Sequence, residues 1–386
     1  MKNNEPIHMF KPLIVPEAFE AVDQVLSSGW IGLGPKTELF EKQFANYIGA
    51  KYCIGTNSGT SALHLALKCL NLSKGSEVIT TANTFISTNH AILYEGLKPV
   101  FADIKIGSGN IDPTDIEKKI TNNTKAIIIV HYAGYPCDID KIYEIAHNYN
   151  IPIIEDCAHS AGAIYKNRKV GSECLLSCFS FHAVKNLPMG EGGAVATTNQ
   201  FYWERLNKLR WMGINKSTHQ RTNSNNNNDL TVYKWKYNVE EIGYKYHLDD
   251  IHAAIGIEQL KYLDKHNQHR EKMAEIYRKN ISSAISRISR MAYLHHRLDY
   301  KLSSYHFYPI LADDRDNLMS YLKSNNIHLG VHYARNDNYS MYEKTDLPNT
   351  EIFTQKEISL PTHLHMNEEK VMRVCDAINK FYDKKD

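Results

Sequence analysis

The sequence predicts an α/β fold, with a mostly parallel sheet that carries helices on both faces and a smaller α/β unit at the C-terminal end. Three observations predict it. Between residues 77 and 155, short β-branched runs alternate with amphipathic stretches, as strands joined by crossover helices do. A long helical pattern from Asp249 to Tyr277 then interrupts that alternation, and strand and helix signals return in the last third. At 386 residues the chain has room for one large and one smaller domain. The expected division is 1–250 and 251–386.

Each element has its own signal. Residues 17–28 read as an amphipathic helix ending near Gly29, and 36–48 as a second helix. Gly29-Trp30-Ile31-Gly32-Leu33-Gly34-Pro35 between them is a loop punctuated by three glycines and a proline. Residues 52–60 read as a loop feeding the helix start before the apolar-periodic run Ala62–Leu70. Glu77–Thr81, Pro99–Ala102, Ala126–Val130 and Pro152–Glu155 read as strands. Thr84–Leu93, Asp112–Ile120 and Asp138–Asn148 read as the helices between and beside them, the second with Pro113 at its first turn. The asparagine-rich stretch 215–229 is expected to be an exposed loop. In the last third, His306–Leu311 and Val331–Tyr333 are expected strands, and Arg315–Ser324 and Lys370–Tyr382 expected helices.

Composition excludes several classes. Lys and Arg total 45 against 43 acidic residues, a net charge of +2, so nothing predicts a nucleic-acid partner. No run of 18 apolar residues and no secretory leader is seen, so no membrane association is expected and the cytoplasm is the expected location. The closest cysteines, Cys174 and Cys178, have no second pair to complete a zinc site. With seven cysteines in all, a reduced protein without a metal is expected. A dinucleotide-binding G-x-G-x-x-G is absent, which disfavours an NAD enzyme.

Several residues stand where ligand chemistry needs them. Asp156 follows the apolar run 151–154, at the sheet edge where open α/β folds bind ligands. A carboxylate there could pair with a protonated pyridine nitrogen, or simply cap a loop. Lys185 lies between the apolar segment Phe179-Ser180-Phe181 and the glycine-rich Gly190-Glu191-Gly192-Gly193, a constrained setting suited to a Schiff-base lysine. Gly59-Thr60-Ser61 opens a helix, where free N–H groups and small hydroxyls suit a phosphate; an ordinary helix cap reads the same. Ser180 could donate to that phosphate. Phe85 could stack on a planar ring or fill a core. His159, three residues beyond Asp156, is equally a ligand or a packing residue.

Taken together, these segments resemble the DegT/DnrJ/EryC1/StrS family of sugar aminotransferases over about residues 8–370. The match rests on Gly29–Pro35, Asn57–His64, Glu155–His159, Ser180–Gly193, and Gly243–Asp250 with Ala253-Ala254-Ile255-Gly256, in family order. The resemblance implies a fold-type-I transferase like aspartate aminotransferase, using pyridoxal phosphate (PLP), and a homodimer whose active site lies at the interface. By position, Lys185 corresponds to the lysine that holds PLP, Asp156 to the partner of its ring nitrogen, and Phe85 to the stacking aromatic. His159 falls where the family places Gln or His near the phenolic oxygen. Thr60, Ser61 and Ser180 fall at phosphate-binding positions. Lys245 replaces an Asn that reaches the phosphate of the neighbouring subunit's PLP, and His247 replaces an Arg.

The implied reaction transfers an amino group from L-glutamate to a nucleotide-linked 4-keto-6-deoxy sugar. A 3-keto sugar is the alternative; the segment 246–256 looks more like the 4-aminotransferases. Sugar dehydratases of the family replace the lysine with histidine, whereas Lys185 is retained here. A non-catalytic binding protein of the same fold would be expected to lack Lys185 or Asp156. Gly29–Pro35 and Arg335-Asn336-Asp337 are the loops expected to line the substrate cleft.

Overall fold

In the computed structural model, which describes residues 5–215, 237–281 and 301–383, the β-branched runs become strands of one sheet. The strands are β1 (Tyr52–Thr56), β2 (Glu77–Thr81), β3 (Lys98–Ala102), β4 (Thr124–Val130), β5 (Ile153–Asp156), the short pair β6 (Ile164–Tyr165) and β7 (Arg168–Lys169), β8 (Leu176–Ser180) and β9 (Gly193–Thr197). Seven of them order as β1-β9-β8-β5-β4-β2-β3. The pairs β2–β3, β2–β4, β4–β5 and β5–β8 are parallel, and β9 alone runs against both its neighbours. This is the mostly parallel sheet the sequence predicts.

Helices α1 (Glu17–Ser28), α2 (Pro35–Ile48), α3 (Gly59–Leu70), α4 (Ile86–Tyr94), α5 (Pro113–Lys119), α6 (Ile139–Asn148) and α7 (Gln200–Leu209) cover it. Side-chain alternation along β4 shows why both faces must be covered. Ala126 and Ile128 pack with Leu63 of α3 and Ile92 of α4, while Ile127 and Ile129 pack with Phe44 of α2 and Ile142 of α6. Cap chemistry sets the ends. Gly29 closes α1 in the left-handed conformation, and Asp112 accepts the Thr114 N–H ahead of Pro113 in α5.

The long helical stretch divides into α8 (Asp250–Leu260) and α9 (Leu263–Asn280). Helix α8 packs on α1 and α2. Strand β10 (Lys301–Leu302) pairs with β6, and the C-terminal unit holds β11 (Tyr308–Leu311), α10 (Arg315–Ser324), α11 (Pro348–Lys356), β12 (Glu357–Leu360) and α12 (Glu368–Asp383). Its core joins Tyr277 of α9, Leu318, Ile358 and Val374, together with Ile7 from the N-terminal segment.

Two expectations are corrected. Residues 52–56 form β1 rather than a loop, because they pair with β9 along their whole length. Val331–Tyr333 is not a strand; the only pairing there is an isolated bridge from Gly330 to Ser359. Residues 216–229 of the expected asparagine-rich loop lie outside the described residues. Among the described helices, none is long and apolar enough to cross a membrane.

Candidate active site

Asp156 is the last residue of β5, at the C-terminal edge of the parallel strands. Its carboxylate is buried. It accepts the Thr88 hydroxyl at 2.7 Å and the Ala158 N–H at 3.0 Å. Burial pushes its pKa up, while those two donors and the charge on Lys185 pull against the shift. Lys185 sits in the turn after β8, its N–H bonded to the His182 carbonyl. Burial lowers its amine to a pKa of about 8, and the Asp156 charge opposes that fall. A desolvated amine beside a desolvated carboxylate is an arrangement that favours proton movement near neutral pH.

Four rings stack behind this pair. His159 is buried and lies 4.7 Å from His306, with Phe10 5.2 Å beyond that. On its other side, Tyr333 places its hydroxyl 2.9 Å from His159 Nε2. Burial and the nearby Lys185 charge hold both imidazoles well below their ordinary pKa, so both are neutral. The Nδ1 of His159 is buried without a partner. Asn186, next to Lys185, donates to Asn267 Oδ1 and to the Ser304 carbonyl, and meets His306 Nδ1 at 3.1 Å. The lysine loop is thereby tied to α9 and to the C-terminal unit.

The start of α3 forms a cradle. The Ser58 hydroxyl caps it by accepting the Ser61 N–H, and Ser61 in turn bonds to Asn57. Thr60 shares a hydrogen bond with Ser87 at 2.7 Å. Ser180 closes against Gly59 so tightly that a Cβ on Gly59 would lie 2.8 Å from the Ser180 Cβ. Phe85, at the N-cap of α4, is 55% exposed, and its ring is 5.9 Å from that of Tyr333.

Lys185, Asp156, His159, Phe85, Thr60, Ser61 and Ser180 therefore gather around one edge of the sheet. Lys245 stands apart from Lys185 in this chain. Its ammonium lies 3.5 Å above the Trp211 ring, whose edge meets His247 at 4.5 Å. The expected cleft loop at 335–337 is corrected. Arg335 is buried, its guanidinium bound to both oxygens of Asp337 and to Glu351, so it has no free face for a substrate. Asn336 instead bonds to the Ala82 and Thr84 carbonyls, just ahead of Phe85.

Thr88 was not singled out by the sequence reading. It lies three residues after Phe85 on a helix, a spacing that shares a face. Beneath the sheet edge, His131, Glu155 and Cys157 cluster with metal-ligand chemistry. His131 Nδ1, however, accepts the Cys137 N–H, which leaves the ring proton on the nitrogen facing Glu155 and no lone pair there for a metal.

Comparison with known proteins places the chain in a family. The model of the DegT/DnrJ/EryC1/StrS aminotransferase family matches residues 12–379. The spore coat polysaccharide biosynthesis protein SpsC of Bacillus subtilis is 35% identical over 390 residues, covering 98% of this chain and 97% of the relative. Among solved structures, Helicobacter pylori PseC, an aminotransferase involved in the biosynthesis of pseudoaminic acid, superposes with a TM-score of 0.87 at 30% identity, covering 98% of this chain and 100% of that one. Spr1654 of Streptococcus pneumoniae in its PLP form gives a TM-score of 0.86 at 28% identity over 98% of this chain and 99% of that one.

Proposed function

Because the chain belongs to the DegT/DnrJ/EryC1/StrS aminotransferase family, we propose that it moves the amino group of L-glutamate onto a nucleotide-linked 4-keto-6-deoxy sugar, as a cytoplasmic homodimer. Its class, a PLP-dependent aminotransferase for sugar nucleotides, follows from the family and its solved members. Glutamate as donor is our reading from the family resemblance, and the 4-keto group is our reading from the segment 246–256.

The residues present fit PLP. The orphaned Nδ1 of His159 needs a partner, the Gly59–Ser180 contact leaves a narrow cradle at a helix N-terminus, and Phe85 offers an uncovered ring. Thr60, Ser61 and Ser180 would hold the phosphate, Phe85 the ring face, and Asp156 the ring nitrogen. Lys245 would reach the neighbouring subunit's phosphate. When bound, PLP supplies an electron sink for charge developing on the donor's α-carbon.

The arrangement that carries the proposal is Lys185, in the turn after β8, within reach of the Asp156 charge at the end of β5; burial lowers the amine to about 8 and that charge opposes the fall. Neutral Nζ takes the proton from the donor's α-carbon, and in the second half-reaction it returns a proton to the sugar carbon that receives nitrogen. Asp156, held by the Thr88 hydroxyl and the Ala158 N–H, would give a cationic ring nitrogen a fixed counter-charge. Burial of His159 and His306 keeps them neutral, so neither competes for the proton.

The test is mass spectrometry of the purified protein with PLP, L-glutamate and dTDP-4-keto-6-deoxyglucose. Conversion of the ketone to an amine with the nucleotide intact is expected. No product with PLP bound rejects this substrate and directs the search to GDP-linked, UDP-linked and 3-keto sugars.

A further inference from the structure

Hydrogen accounting around His159 leads beyond its proximity to the cofactor. The Tyr333 hydroxyl and His159 Nε2 are 2.9 Å apart, and that is the only hydrogen bond to either group among the described residues. Burial holds the Tyr333 phenol protonated and the His159 imidazole neutral. A neutral imidazole carries one N–H and one lone pair, so two arrangements exist. If Nε2–H donates to the phenol, both the phenolic proton and the Nδ1 lone pair are left unpaired. If the phenol donates to Nε2, an Nδ1–H and the phenol's own lone pairs are left unpaired. The counts are equal, but only the second arrangement turns a donor rather than a lone pair toward an anion at Nδ1. His306 presses on the opposite face of the ring at 4.7 Å, and its own Nδ1 is held by the oxygen of Asn186, whose amide nitrogen is already committed to Asn267 and Ser304. The His159 ring is thus gripped on one face and one edge, and its remaining nitrogen faces no protein partner.

We propose that Tyr333 is a positioning residue that fixes His159 as the Nδ1–H tautomer, so that the imidazole presents a hydrogen-bond donor to the anionic phenolic oxygen of PLP. The proposal rests on the reading that this site takes PLP. Tyr333 comes from the C-terminal unit and His159 from the loop after β5, so the tautomer is set only when the two are docked. A donor at the phenolic oxygen stabilises the deprotonated form of the bound cofactor; removing it raises the pH at which the visible band titrates.

The experiment is a spectrophotometric pH titration of the holoenzyme. Tyr333→Phe keeps the ring and removes the hydroxyl, and the midpoint is expected to rise by about one pH unit, the shift one such hydrogen bond gives. In a His159→Gln background, where an amide N–H donates without any tautomer to set, the same substitution is expected to move the midpoint by less than about a third of that. Equal shifts in both backgrounds, or none in the wild-type background, overturn the proposal. The ¹⁵N shifts of His159 in the wild-type holoenzyme, assigned by their loss in His159→Gln, give a test that needs no Tyr333 variant: an Nε2–H tautomer overturns it. Failure of the wild-type chain to retain PLP would instead overturn the cofactor reading beneath it.

Discussion

The hydroxyl of Thr88 donates to Oδ2 of Asp156 at 2.7 Å, across 68 residues of sequence. Thr88 is itself bonded to Thr84 at 2.8 Å, so the carboxylate is held from α4 and from the loop before it. Thr88→Val keeps the shape and removes the donor. The variant is expected to lose about 1–3 kcal/mol of stability and to bind PLP more weakly, because the Asp156 carboxyl rises further. Thermal melting and PLP dissociation measured together check this; unchanged PLP affinity would show that Asp156 does not depend on Thr88.

Burial lowers the Lys185 amine from its ordinary 10.5 to about 8. Between those values the unfolded chain binds a proton that the folded chain does not, so this group makes apoprotein stability rise with pH through that window. Below pH 8 the buried charge is a penalty. Lys185→Met is therefore expected to raise the melting temperature of the apoprotein at pH 7 while cutting aminotransfer to below about a thousandth. A lower melting temperature would show that the amine is not desolvated as described.

Gly59 has no room for a methyl group. Gly59→Ala would bring a Cβ to 2.8 Å from the Ser180 Cβ and push the start of α3 away from β8. An overpacked contact of this kind costs about 1–3 kcal/mol. PLP affinity is expected to fall by more than that of a control substitution in a surface turn, such as Gly75→Asn, read by equilibrium dialysis.

Arg210 and Glu41 form a buried pair under β1: Glu41 accepts the Gly55 N–H at 2.7 Å, and Arg210 donates to the Gly55 carbonyl at 3.0 Å. Burial pushes the Glu41 carboxyl up and the guanidinium pulls it down, with burial the larger effect. Arg210→Met leaves Glu41 unpaired and is expected to cost about 3–5 kcal/mol. Adding Glu41→Gln should restore part of that loss in a urea melt; strict additivity of the two substitutions would mean the pair is not coupled.

Local pattern carried much of this structure. The run Ala126–Val130 read as a buried strand and lies within β4, and Gly29 and Pro113 marked helix ends that the structure keeps. The loop reading of residues 52–56 failed because Gly55 and the Asn57-Ser58-Gly59 turn dominate the local signal, whereas the strand is defined by pairing with distant β9. The flanks made Lys185 and Asp156 candidates, and the family resemblance supplied their expected roles. The roles of Thr88, His306 and Asn336 were not legible, since each acts on a segment far away in sequence. The loop at 335–337 was expected to line the cleft, but the Arg335 fork is taken up by the Asp two positions on.

The reversed strand β9 has a consequence for how the chain is made. Strand β1 lies at the sheet edge and pairs along its length with β9, Tyr52 opposite Thr197 and Thr56 opposite Gly193. Gly193 also lies so close to the Ser58 carbonyl that a Cβ would come within 2.4 Å of it. A nascent chain emerging from the ribosome thus holds residues 52–61 without their final neighbour until residue 197 has been synthesised. The cradle at the start of α3 is translated well before the strand that completes it, a non-local closure of the kind that slows folding.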